Sequence, residues 1–373
     1  MNVPKLRFKE FNDEWGYQSL SKYVNRITTK NKNNESNLVL TISAQYGLVD
    51  QTNFFNRSVS SSNLTGYYLL NNGDFAYNKS YSNGYPWGAV KRLNKYNQGV
   101  VSSLYICFKP NNLINSDFLE QYFETNKWYQ QISEVSVEGA RNHGLLNIAV
   151  NDFFNTKHYM PSIKEQEKIS NFLSLLDKKI ELQTKKIEDL KLFKLSIKNN
   201  IFKSFDKEQK MSIEELLEFE QPTKYIVKSE EYTDNRDDIP VLTANKAFIL
   251  GYCKEGNFYN KECIIFDDFT LDMKYVNFAF KVKSSAIKIL TPKENINIKY
   301  IYEYMQFLNL HSEEHKRHYI STVQKIQIPV PMFEIQNKIA TQLNCFDSKI
   351  ELENNKLLKL TELKKGLMLN MFV

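Results

Sequence analysis

Between Asn78 and Arg92 the chain interleaves Lys79, Tyr81, Asn83, Tyr85, Trp87, Lys91 and Arg92 with Gly84 and Gly88. These residue types suit a nucleic-acid groove. Asparagine and arginine make paired hydrogen bonds to adenine and guanine edges, lysine and arginine neutralise phosphates, and glycine lets backbone approach closely. Gln45, Arg141 and Asn142 add candidates in the same half. In the second half, Lys274, Lys281 and Lys283 form a basic stretch within an acidic region, and Asn245 with Lys246 follow a strand on an expected loop. Polar aromatic loops and solvated lysines are also ordinary surface features, so the pattern gains meaning only from the elements that present it.

Enzymatic chemistry has thinner support. His311-Ser312-Glu313-Glu314-His315 fits the short H-x-x-E-H string that places two metal ligands on one helical face, but so short a pattern arises often by chance. Asp267, Asp268 and Asp272 with Lys274 could hold Mg²⁺ in a nuclease, although acidic turn residues beside a strand are far commoner. The sequence contains no G-x-x-x-x-G-K-[ST] phosphate loop, no glycine-rich nucleotide loop after a strand, and no Asn-Pro-Pro-Tyr-type string. Any catalysis is therefore expected in partner proteins.

The elements that must position these residues are announced by an internal repeat. Pro161 to Phe202 returns as Pro331 to Phe372 without a gap, pairing Gln166 with Gln336, Asp177 with Asp347, Lys194 with Lys364 and Phe202 with Phe372. Both copies keep a 4-3 spacing of apolar residues, the heptad rule for helices packed lengthwise. The first seam reads Ile169, Leu173, Leu176, Ile180, Gln183, Ile187, Leu190, Lys194, and the second Ile339, Leu343, Phe346, Ile350, Glu353, Leu357, Leu360, Lys364. Polar residues interrupt the two seams at matching places, which costs stability but fixes register and partner. Ser162 and Glu165 after Pro161 have the spacing of a capping box. About 40 helical residues make a rod of roughly 60 Å.

The globular parts repeat more faintly. Ile42-Ser43-Ala44-Gln45 matches Leu242-Thr243-Ala244-Asn245, Phe75 to Asn78 matches Ile264 to Asp267, and Ser102 to Pro110 matches Ser284 to Pro292. The offset shrinks along the chain, as expected if a fixed scaffold carries loops of changing length. Strands are expected at Leu38 to Ile42, Val100 to Phe108, Ile239 to Leu242, Cys263 to Phe266 and Ala286 to Leu290, with helices around Phe118 to Tyr122 and Tyr300 to Tyr304. An α+β fold with irregular, curved sheets follows. With 373 residues and 42% apolar content, two or three cored domains are possible. The four cysteines form no C-x-x-C pair and no segment reads as a signal peptide or membrane span, so a reduced, cytoplasmic setting is expected. The net charge of +6 is concentrated on the first long helix, weak support for a polyanionic partner.

Several strings together resemble a known family. Pro4-Lys5-Leu6-Arg7-Phe8 with Asp13-Glu14-Trp15, and Gly73 to Ser80, look like the first target-recognition domain of the DNA-specificity (S) subunit of type I restriction-modification systems. Ile239 to Lys246 and Ile264 to Thr270 look like the second, and the two P-x4-Q-x2-I strings at Pro161 and Pro331 resemble the entrances to that family's spacer helices. The second domain lacks a counterpart of Gly139 to His143. The resemblance implies recognition domains at residues 1–155 and 206–328 and spacer helices at 156–205 and 329–373, the helices forming an antiparallel coiled coil with pseudo-twofold symmetry. It also implies a non-catalytic subunit that reads a split double-stranded target, one half-site per domain. Methyltransferase subunits, two by this reading, would assemble on the helices and in turn recruit restriction-translocase subunits; S-adenosylmethionine, ATP and Mg would belong to those partners. Two other classes stay open: a stand-alone DNA-binding regulator with a coiled-coil interface, and a metal-dependent hydrolase.

Overall fold

The computed structural model describes residues 2–55, 63–136, 146–205, 208–245, 247–311, 314 and 316–373. They form two compact units. Unit 1 comprises Met1–Gln183 with Lys356–Val373, and unit 2 comprises Thr184–Asn355. Each long helix, Ile163–Ser204 and Phe333–Met371, therefore gives one half to each unit.

The two units are built to one plan. In unit 1 an antiparallel sheet runs in the order Val24–Arg26, Ile106–Pro110, Phe75–Asn78, Ala89–Arg92. In unit 2 the order is Leu217–Glu220, Ile287–Pro292, Cys263–Asp267, Met273–Val276. After the second strand of each sheet comes an amphipathic helix, Ser116–Phe123 or Ile298–Phe307, capped by an asparagine (Asn115 or Asn297) whose side chain accepts from a backbone N–H three residues on. A two-stranded ribbon then closes each unit: Gly16–Ser19 with Lys157–Met160, and Lys210–Ser212 with Gln327–Pro329. Pro161 or Pro331 follows at once. Proline has no N–H to add to a ladder and holds a φ suited to helix entry, so the ribbon stops and the long helix starts.

Within each unit the two helix halves run antiparallel. In unit 1, Ile169 and Leu173 enter the same core as Met368, Met371 and Phe372, and Asp177 accepts from Lys364. In unit 2, Ile339 and Leu343 share a core with Phe202, Asp347 accepts from Lys194, and Phe193 meets Phe346 edge-on at 5.6 Å. Every seam residue, Ile169, Leu173, Leu176, Ile180, Ile187, Leu190, Ile339, Leu343, Phe346, Ile350, Leu357 and Leu360 among them, is buried or half-buried, while Leu182 and Leu352 on the outer face are exposed. No helix among the described residues is long and apolar enough to cross a membrane.

Three local expectations need correction. Glu165 does not cap its own helix: both carboxylate oxygens accept from Arg7, at 2.7 Å each. The apolar run Val100 to Phe108 is two strands, Gln98–Val101 and Ile106–Pro110, because Tyr105 N–H donates to Ser102 O and turns the chain. The helix expected to carry His311 to His315 ends at Phe307. Asn309 takes a left-handed φ of 49°, and His311 Nδ1 meets the Asn309 carbonyl oxygen. Residues 312, 313 and 315 lie outside the described residues.

Candidate nucleic-acid interface and the joints that carry it

The segment from Asn78 to Arg92 links two neighbouring strands of the first sheet. Its tip is a small bridge between Ser82 and Tyr85, turned by Gly84 at φ 81°. Gly88 allows the return: a Cβ there would lie 2.3 Å from the Asn78 carbonyl oxygen. Tyr81 and Asn83 stand exposed on this tip, and Gln45 is exposed on the turn between Leu40–Ser43 and Gly47–Asp50. Lys79 is half-buried and donates to the Ile148 carbonyl oxygen at 3.3 Å.

The base of the segment faces inward. Lys91 is buried, pairs with Glu124 at 2.5 Å and lies 4.9 Å from the centre of the Tyr85 ring. Burial, then the charge of Glu124, pushes the Tyr85 phenol up to about 12, so it remains a neutral donor at neutral pH. Arg92 is gripped by Asp117 at 2.6 Å, Glu120 at 2.5 Å and the Ser116 hydroxyl at 2.9 Å, all on the helix Ser116–Phe123. Trp87 packs against the core, and its carbonyl oxygen accepts from Tyr77. Gln45, Tyr85, Lys91 and Arg92 line one cleft of about 1440 Å³ in unit 1, together with Asp177 and Lys364 of the long helices.

In unit 2, Asn245 and Lys283 are exposed and Lys274 is half-buried on a sheet strand. Lys281 is wholly buried and donates to the carbonyl oxygens of Cys253 and Glu255, which gives it an architectural task. Arg141, Asn142 and Lys246 lie outside the described residues. Among the described residues no cluster of histidine, cysteine, aspartate or glutamate could hold a metal ion. Asp268 instead accepts from the N–H groups of His318 and Tyr319 and pairs with Lys288.

Sequence reading singled out Gln166 and Gln336 as repeated letters within the two P-x4-Q-x2-I strings, without a task for either amide. Their task is now visible. Gln166 Oε1 accepts from Asn115 N–H at 2.7 Å while its Nε2 donates to the Pro161 carbonyl oxygen at 2.9 Å. Gln336 repeats both bonds, to Asn297 N–H at 2.9 Å and to Pro331 O at 2.8 Å. One buried amide thus ties the cap of the domain helix to the entrance of the long helix, and P-x4-Q is the sequence mark of that clip. The paired amide leaves neither of its halves without a partner, the condition for burying it cheaply.

Comparison with known proteins shows what this geometry is similar to. A family model described as the type I restriction modification DNA specificity domain matches residues 206–362. The type I restriction enzyme EcoR124I/EcoR124II specificity subunit of Escherichia coli is 45% identical over 125 residues, and that match spans 31% of this chain and 31% of the relative. The crystal structure of the type I restriction-modification S subunit from M. genitalium superposes with a TM-score of 0.64 at 17% identity, covering 100% of this chain and 99% of that one. A chain from a structure titled as the basis of complex assembly and conformational transition of the type I R-M system matches with a TM-score of 0.55 at 12% identity over 97% of this chain and 98% of that one. Residues 206–362 match the type I restriction modification DNA specificity domain, and the chain as a whole has the fold of the S subunits of these systems.

Proposed function

We propose that the chain is a non-catalytic, sequence-specific DNA-binding subunit of a type I restriction-modification complex. It reads a bipartite target, one half-site per recognition domain, and directs methylation and restriction by partner subunits. The observation that carries this reading is the duplicated joint: each domain is clipped by its own glutamine to a helix that runs on into the other unit. Two like domains on shared rods suit two half-sites at a constant gap. A helix of 42 residues, about 63 Å long, has the reach to separate half-sites roughly 34 Å apart.

Reading heads are proposed at Tyr81, Asn83 and Gln45 in unit 1 and at Asn245, Lys274 and Lys283 in unit 2, whose side chains stand exposed or half-exposed on strands and turns. Lys91, Arg92 and Lys281 support those surfaces through internal partners. Methyltransferase subunits, two by this reading, would assemble on the helices and bring S-adenosylmethionine; restriction-translocase subunits would join through them with ATP and Mg. The helices' exposed outer leucines, including Leu175, Leu182, Leu192 and Leu352, provide apolar surface for such an assembly.

The deciding experiment measures binding to a pool of duplexes by the chain alone and with its methyltransferase. Selective binding that appears or rises sharply only with the methyltransferase is expected. Tight, selective binding by the chain alone, with no gain from the partner, would favour the stand-alone regulator.

A further inference from the structure

The two joints share a plan but not their charges. In unit 1, Asp177 on the first long helix is held on both oxygens: Lys364 of the second long helix donates to Oδ1, and Gln121 of the domain helix donates to Oδ2 at 2.8 Å. In unit 2 the matching Asp347 is held the same way, by Lys194 on Oδ1 at 2.6 Å and by Lys299 of the domain helix on Oδ2 at 2.8 Å. Three matched positions then differ. Gln121 is replaced by Glu303, Asp117 by Lys299, and Met368 by Lys198.

These changes compensate one another. Glu303 is 1% exposed and receives Lys194 at 2.8 Å, Lys299 at 3.1 Å and Lys198 at 3.7 Å. A carboxylate so deeply buried is tolerable only with such partners. At the matching place in unit 1 the neutral Gln121 lies in the cleft, while Met368 is packed in the apolar core and Asp117 turns to Arg92. Arg92 in turn matches Tyr275, over which Lys299 sits at 4.8 Å in unit 2. Each neighbour has changed with the residue it faces.

We infer that the two ends of the helix pair are charge-keyed, so that each accepts only its own recognition domain, with Gln121 and Met368 as one key and Glu303 and Lys198 as the other. A domain bearing aspartate and glutamine, placed on the end that carries Asp347 and Lys198, would set Asp117 toward Asp347 and leave Lys198 without its carboxylate. A domain bearing Lys299 and Glu303 on the other end would bury Glu303 beside Met368. Chain connectivity already seats each domain at its own end; the key makes the two domains, and hence their recognition surfaces, non-exchangeable between the ends. It acts inside the chain and does not depend on what the surfaces read.

The test uses the full chain and two compensating pairs, followed by hydrogen exchange of the amides of Ile298–Phe307 and Ser116–Phe123. Glu303→Gln alone should raise local opening of the unit 2 joint at least about tenfold, and adding Lys198→Met should restore most of it. Gln121→Glu should open the unit 1 joint, and adding Met368→Lys should close it again. The single changes Lys198→Met and Met368→Lys complete both cycles, so a double variant that merely unfolds is recognised as additive. Strong coupling within each pair supports the key. Additive effects in both cycles, or a Gln121→Glu variant as protected as the parent, would overturn it.

Discussion

The joints of the two units differ most where their sheets differ least. Strand order, capping asparagine, glutamine clip and helix entrance are the same in both. Around them, unit 1 uses a neutral amide and a buried histidine where unit 2 uses a carboxylate among three lysines and an isoleucine. The backbone bonds that set the geometry tolerate no exchange, because an unpaired buried amide costs more than the bond contributes. The electrostatic layer around the shared aspartate–lysine pair tolerates exchange, provided that the facing members change together.

The largest effects should come from what the joints share. Leu173→Asp and Leu343→Asp each place a charge in a fully buried seam position, at a cost on the order of 4 kcal/mol or more. Each should unfold its own unit first, visible as loss of amide protection confined to that unit; equal loss in both units from either change would mean that the units are not separately cored. Next come Gln166→Leu and Gln336→Leu, each removing the clip and leaving Asn115 or Asn297 N–H buried without an acceptor, about 2 kcal/mol apiece. Thermal unfolding should show two losses of similar size. A large loss from one and none from the other would break the equivalence of the joints.

Acid should separate the units. His158 is buried between the Tyr122 hydroxyl and the Thr156 hydroxyl, at 2.8 Å from each, and burial pushes its pKa down to about 3. A depressed folded-state pKa means that the unfolded chain takes the proton first. The stability is complete above the ordinary value of 6.5 and drains as pH falls from there toward 3, at up to about 1.4 kcal/mol per pH unit. Unit 2 has the apolar Ile328 at the matching strand position. Its joint responds lower: burial works to raise the Asp347 pKa, but hydrogen bonds from Lys194 and Lys299 hold it below 3.8. Amides of Lys157–Met160 should lose protection from about pH 6 downward while those of Gln327 and Ile328 hold, and His158→Gln should flatten the slope in unit 1. The smallest effect is expected at Arg7→Lys, about 1 kcal/mol, since a lysine still pairs with the buried Glu165 but loses one of the two hydrogen bonds. Unit 2 has Ile335 in place of Glu165, so the loss should appear in unit 1 alone.

The long helices, their seam positions and the domain helices were legible in the sequence because they rest on periodicity and local caps, which are written in neighbouring letters. The joints were half legible. Gln166 and Asp177 stood out as repeated residues, but their partners lie 51 and 187 residues away, beyond any local pattern. Arg92 looked like a groove-reading side chain because its type is right. Only the fold brings Asp117 and Glu120 against it, which no local pattern announces. Lys281, a DNA-contact candidate from its basic run, has its partners hidden in the same way: the strand that carries it turns it onto buried carbonyl oxygens. Ser162 and Glu165 had the spacing of a cap, and the acid was taken by an arginine from the far end of the chain's first segment.

One measurement bears most directly on the account: mapping methylated sites in cells that carry this chain and its methyltransferase, for the parent and for a variant with four residues added to both long helices, between Gln183 and Ile187 and between Glu353 and Leu357. The parent should give two fixed half-sites across a constant gap. The variant, lengthened by roughly 5.4 Å per helix against about 3.4 Å per base pair, should keep both half-sites and widen the gap by one or two base pairs, with some loss of stability from the shifted seam. A continuous target for the parent, or a variant with its gap unchanged and its half-site bases altered, would contradict the division into two reading domains and a helical spacer.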